Sequence, residues 1–150
     1  MNPVTGEKPM KLPEKTVDVP ISIRFRDLDA LGHVNNATYF TYLEQARIGF
    51  RDHVVPEISG KSEFYSVVAE NHLAYKKPIV FEDRIVVRCF LSHVREKSYR
   101  FNCIILNPET GEEKARGYSV MVGFNYKTGK VAPLNPAFME PTRPYTVADE

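Results

Sequence analysis

A single helical period in a chain otherwise written in alternation is the feature that most limits what this sequence can fold into. Over residues 37–53 the apolar positions Tyr39, Phe40, Leu43, Ala46, Ile48 and Phe50 follow helical spacing. They spread wider than one stripe, so the helix is expected to be covered on most sides. The other apolar segments alternate with a period of two: 17–26 before the helix, then 64–75, 83–92, 97–106 and 114–126. A turn at 93–96 and a Pro/Gly loop at 107–111 give hairpin-length connections. One helix cannot cover both faces of a flat sheet. The pattern therefore predicts an α+β domain with a strongly curved antiparallel β-sheet wrapped around one long α-helix. Long strands also leave edges, which favours pairing of sheets between two subunits.

At 150 residues the chain fits one domain with a real core. The expected division is an N-terminal arm at 1–16, a folded domain at 17–132, and a Pro-rich tail at 133–150 holding Pro133, Pro136, Pro141 and Pro144. Lys and Arg total 20 against 19 Asp and Glu, so no general field draws nucleic acid or anionic membrane, and an anionic partner must be met by a local patch. No apolar run approaches the ~20 residues of a membrane span. The first twenty residues mix Lys, Glu and Pro, unlike a signal or transit peptide, so a cytoplasmic protein without membrane insertion is expected. Cys89 and Cys103 fall on the apolar face of their strands and read as core thiols.

Candidate chemistry concentrates between Arg24 and Arg47. A strand runs into a polar loop holding Asp27, Asp29, Gly32 and His33, and the loop ends at Asn35 and Asn36 as the helical period begins. A carboxylate is thus delivered just ahead of a helix N-terminus, whose free N–H groups and positive dipole end can hold an oxyanion. On this pattern alone Asp29 reads equally as a capping acid. Asp27 reads as a structural acid pairing Arg24 or Arg26, and as the alternative carboxylate if the strand stays extended. Glu44, three residues before Arg47, reads as half of a helical ion pair. His53, His72 and His93 lack ligand spacing, so no metal is expected. The absence of a Gly-x-Ser-x-Gly elbow gives no indication of a serine hydrolase.

The run Asp-Leu-Asp-Ala-Leu-Gly-His-Val-Asn-Asn-Ala-Thr-Tyr-Phe-Thr-Tyr-Leu-Glu-Gln-Ala-Arg, residues 27–47, resembles the signature of hotdog-fold acyl-CoA thioesterases of the 4-hydroxybenzoyl-CoA thioesterase type. Its Asp-x-x-Gly-His-Val-Asn-Asn form is most similar to the fatty-acyl-CoA branch. Leu73-Ala74-Tyr75-Lys76-Lys77-Pro78, followed by Glu82-Asp83, resembles the same family's second-strand exit. The resemblance implies a hotdog fold assembled as a homodimer or homotetramer, with active sites at the dimer interface and neither metal nor cofactor. It further implies Asp29 as the catalytic carboxylate and the Asn36 backbone amide as the group polarising the thioester. The position of His33 is not usually given the base role in this family and implies a hydrogen-bonding or substrate-shaping part.

Those assignments suit thioester hydrolysis, which needs donors for charge developing on the carbonyl oxygen and a nucleophile at the carbon. Asp29 would attack directly or deprotonate a water, and its ionised form is favoured beside a helix N-terminus. For the coenzyme A phosphates the candidates are Lys76 and Lys77 at a strand end. Arg95, Lys97 and Ser98 join them at the 93–96 turn, where the resembled family tends to place coenzyme contacts. Tyr39 and Tyr65 are candidate acyl-tunnel residues that would suit a core equally well. The expected activity is hydrolysis of an acyl-CoA to free acid and coenzyme A. The alternatives are a non-catalytic acyl-CoA-binding module and a hotdog hydratase or dehydratase, the latter a poor fit with His33 and Asp29 in one loop.

Overall fold

The computed structural model describes residues 10–61 and 66–149. Six strands and one long helix form the framework: β1 (Val17–Ile21), α1 (Thr38–Val54), β2 (Ser66–Tyr75), β3 (Ile85–Ser92), β4 (Ser98–Leu106), β5 (Glu113–Asn125) and β6 (Lys130–Val131). The five longer strands form one antiparallel sheet in the order β1-β3-β4-β5-β2, with β6 pairing β5. The sheet curls around α1, whose Tyr39, Tyr42, Leu43, Ala46 and Phe50 are all buried at i, i+3, i+4, i+7 and i+11 spacing. Facing them are Val87, Cys89 and Leu91 of β3, Phe101, Cys103 and Ile105 of β4, and Ala115 and Met121 of β5. The α+β architecture of one helix wrapped by a curved sheet is the one the periodicities predict.

Helical apolar spread was wider in sequence than in space. Phe40 and Ile48 are exposed, so α1 presents one outward face to its surroundings. The convex side of the sheet carries a second small cluster, Val86, Phe90, Ile104 and Leu106, covered by Met10 and Val147 from the two ends of the chain. Cys89 and Cys103 sit opposite each other on β3 and β4, fully buried and unbridged. Burial, followed by the neighbouring Cys103, pushes the Cys89 thiol well up, which keeps it an inert core group.

Three local expectations need correction. The first strand was expected to reach residue 26, but β1 stops at Ile21, and Phe25–Asp27 forms a 3-10 turn that leaves Phe25 80% exposed. The cause is Asp27, whose carboxylate accepts the Arg24 backbone N–H at 3.0 Å and folds the chain back. The expected Glu44–Arg47 pair is absent: Arg47 donates instead to Ser119 Oγ on β5 at 3.3 Å. The tail, expected to be irregular, contains α2 (Pro136–Met139), with Pro136 at its first turn and Asn135 Oδ1 accepting Ala137 N–H at 2.9 Å.

Candidate active site

The loop between β1 and α1 is held by backbone bonds at its base. Leu28 and Val34 form an antiparallel bridge, and Asn35 N–H donates to the Asp27 carbonyl at 2.8 Å. A second tie joins the loop to the β2–β3 connection, where Val34 N–H donates to the Ile79 carbonyl at 2.8 Å and His33 bridges Val80. Asp29 therefore lies inside the closed loop, just past Leu28 and facing His33, while Asn36 follows Asn35 out of its base toward the helix.

Within the loop, Asp29 is exposed and its Oδ1 accepts Leu31 N–H at 2.9 Å and His33 N–H at 3.2 Å. Asp29 N–H donates to the His33 carbonyl at 2.7 Å, and Gly32, at φ 78°, makes the tight turn possible. Those bonds fix the carboxylate through one oxygen and leave Oδ2 without a protein partner among the described residues. His33 contributes its backbone here, with its side chain half-buried beside the bridge to Val80.

At the helix start, Asn35 does the capping that the sequence assigned to the Asn pair. Its Oδ1 accepts Ala37 N–H at 2.9 Å and its carbonyl accepts Thr38 N–H at 2.9 Å. Among the described residues the Asn36 N–H has no acceptor, so it is a backbone donor open at the positive end of α1. The Asn36 carbonyl accepts the Tyr75 hydroxyl at 2.8 Å.

Asp27 has a different fate from Asp29. Its side chain is 2% exposed and takes Arg24 through Nε (3.2 Å) and Nη2 (3.1 Å), and the Tyr42 hydroxyl at 2.7 Å. Burial alone would raise its carboxyl; the Arg24 amide, the Tyr42 hydroxyl and the Arg24 guanidinium outweigh that and hold it below the usual range. Burial, and then the bond to Asp27, push the Tyr42 hydroxyl up. Asp27 is a structural acid whose partner is Arg24.

The remaining candidates divide between two ends of the sheet. Lys76 and Lys77 follow β2 beside the loop; Lys77 pairs with Glu112 at 2.9 Å, and Glu112 also takes Lys114 at 2.6 Å. The Lys114 and Lys77 bonds draw the Glu112 carboxyl down to about 2. Tyr39 is buried in the core, its ring edge-on to Tyr75 at 4.8 Å. Arg95, Lys97 and Ser98 lie past the far end of β3, with Arg95 paired to Asp149 at 2.9 Å. The eight residues of β3 separate that turn from the Asp29 end by roughly 25 Å. Within one chain the two groups do not converge. Tyr65 lies outside the described residues.

Sequence reading missed a cavity of about 190 Å³ at the Ser98 end, between the second half of α1 and the starts of β2 and β4. Its walls include Glu44, Arg47, Ser66, Tyr99, Met121 and Phe138. Period-two and helical signals identify which residues face the core, but a gap between packed elements leaves no trace in either.

Comparisons with known proteins agree with this architecture. Residues 23–141 match the family profile of the thioesterase-like superfamily. A thioesterase from Thermus thermophilus, solved with coenzyme A and zinc, is 34% identical, with a TM-score of 0.72 over 84% of this chain and 96% of its own. The long-chain acyl-CoA thioesterase FadM of Escherichia coli K12 is 28% identical over 76% of this chain and 87% of its own length. The PA5185 protein of Pseudomonas aeruginosa PAO1 shares the fold at a TM-score of 0.81 with 21% identity, covering 95% of this chain and all of its own. This chain belongs to the thioesterase-like superfamily and has the hotdog fold; thioester hydrolysis is the chemistry of that class. Among the described residues no three His, Cys, Asp or Glu side chains converge as a metal site would require.

Proposed function

We propose that this chain hydrolyses acyl-CoA thioesters to free acid and coenzyme A, using Asp29 and the Asn36 backbone amide. What supports this reading is that one short segment carries both a carboxylate with one unengaged oxygen and, seven residues on, an unengaged backbone N–H at the start of the helix. The thioester oxygen accepts from the Asn36 N–H, where charge builds as the carbonyl carbon is attacked; loss of a comparable donor costs ~3–4 kcal/mol. Asp29 Oδ2 either attacks the carbon or takes the proton of an attacking water. His33 serves through its backbone, which keeps Oδ1 in place.

The working unit in this proposal is a homodimer. Among the described residues β2 has one sheet neighbour, β5, and its residues are exposed or half-buried on both faces, including Val68 and Tyr75. Its open edge suits a second copy of itself. Antiparallel pairing of two β2 edges sets Ser66 of one chain near the partner's Tyr75. That brings the Ser98 end of one chain to the loop end of the other. Arg95, Lys97 and Ser98 then join Lys76 and Lys77 around one coenzyme, although a single chain holds them far apart. The cavity lined by Ser66 and Tyr99 likewise opens toward the partner's loop, where it can take the acyl group.

The test is thiol release from a panel of acyl-CoAs. Wild-type protein is expected to turn over at least part of the panel, and Asp29→Asn to lose about 100-fold or more in kcat. An Asp29→Asn variant with wild-type turnover would overturn the assigned role. Saturable acyl-CoA binding without thiol release would replace it with the non-catalytic module.

A further inference from the structure

Tyr75 closes a contact that neither helix capping nor sheet pairing requires. It is the last residue of β2, yet its hydroxyl reaches across to the helix start and donates to the Asn36 carbonyl at 2.8 Å. The residue at the N-cap position, Ala37, offers no side-chain cap, so the first turn of α1 depends on other groups for its geometry.

Two peptide planes meet at Asn36, and both are tied. The plane shared with Asn35 is held by its carbonyl, which accepts Thr38 N–H at 2.9 Å. The plane shared with Ala37 is held at both ends: its N–H donates to Asn35 Oδ1 at 2.9 Å and its carbonyl accepts Tyr75. The Asn36 N–H is left without a protein partner among the described residues. The Asn36 N–H lies in the first plane, which the Thr38 bond orients, while the Tyr75 bond on the second plane anchors the Asn36 backbone that both planes share.

We propose that Tyr75 is a positioning residue, whose hydroxyl anchors the Asn36 backbone at the helix start so that its N–H is held in place for the thioester oxygen. The inference rests on the acyl-CoA hydrolase reading above. A preorganised donor stabilises developing charge without having to reorganise during the reaction, so its alignment acts on the transition state more than on substrate binding. The ring of Tyr75 packs edge-on to buried Tyr39, which holds the hydroxyl in place from the core side. Like any tyrosine hydroxyl it is protonated and able to donate at neutral pH, and partial desolvation against the helix start moves its titration further up.

The experiment compares wild type, Tyr75→Phe and Tyr75→3,5-difluorotyrosine in steady-state thiol release from the best acyl-CoA of the panel. Tyr75→Phe is expected to lower kcat on the order of tenfold, one neutral hydrogen bond's worth, with KM and melting temperature nearly unchanged. The fluorinated residue keeps the shape and the hydrogen bond while protonated but ionises at much lower pH. Its kcat is expected to match wild type in mild acid and to fall as the phenol ionises, over a range where wild type stays flat. Equal losses in kcat and melting temperature for Tyr75→Phe, together with a flat profile for the fluorinated protein, would mark a merely structural tyrosine and overturn the inference. Unchanged kcat in both variants would overturn it too. If wild type releases no thiol from any acyl-CoA, the underlying hydrolase reading fails instead.

Discussion

Asp27 and Asp29 stand two residues apart and end in different chemistry because their surroundings differ. Asp27 is enclosed and spends both oxygens on Arg24 and Tyr42, whereas Asp29 is exposed and spends one oxygen on its own loop. Since the folded carboxyl of Asp27 titrates below its unfolded counterpart, its contribution to stability is fully present above the ordinary carboxylate value of about 4. That contribution is lost as pH falls through the lowered folded value. Urea midpoints followed from about pH 6 to about pH 3 should therefore fall, and Asp27→Asn should flatten that limb while costing about 2–3 kcal/mol at the upper end. Equal acid slopes in the two proteins would remove Asp27 from the account. Residue types and spacing revealed the structural acid and narrowed its partner to Arg24 or Arg26; the fold chose Arg24. They did not reveal the 3-10 turn, because one of its supports, the Tyr42 hydroxyl, comes from fifteen positions later and is set by the packing of α1. The same limit misassigned Arg47: helical spacing favours Glu44, while the curl of the sheet offers Ser119.

Among the elements, α1 contains a glycine where helix propensity alone would ask for alanine. Gly49 faces β1, and a Cβ there would come 2.7 Å from Val19 Cγ1. An exposed Gly→Ala change within a helix usually gains up to about 1 kcal/mol. Here the stiff, branched Val19 would have to yield, so Gly49→Ala is expected to destabilise by about 1–3 kcal/mol. The double variant Gly49→Ala with Val19→Ala should recover part of the loss, measured by denaturant unfolding. A stabilised single variant would show that β1 moves freely over the helix. Strand and helix locations were readable because period two and helical spacing each bury one face. The close pass of β1 over α1 was not, since it depends on where a curved sheet brings two distant segments together.

For the whole molecule, the open edge of β2 makes assembly part of the site. Wild type is expected to sediment as a dimer or a multiple of one. Val68→Lys, which puts a charge on the exposed edge strand, should shift it toward monomer and lower thiol release in parallel. Undiminished turnover by a monomeric variant would mean that one chain suffices and that the distant Arg95, Lys97 and Ser98 turn plays no part. The closing segment of the chain has its own consequence. It is fastened by Leu134 N–H to the Glu96 carbonyl at 2.9 Å, by Tyr145 against Phe50 at 5.7 Å, and by Val147 N–H to the Leu91 carbonyl at 2.8 Å. Between those fastenings it sets Phe138 against Tyr99 in the cavity wall. Drift in this terminal stretch can therefore recast the receptacle while the loop at the opposite pole keeps its shape. Descendants of this chain have a short evolutionary route to a differently contoured chamber.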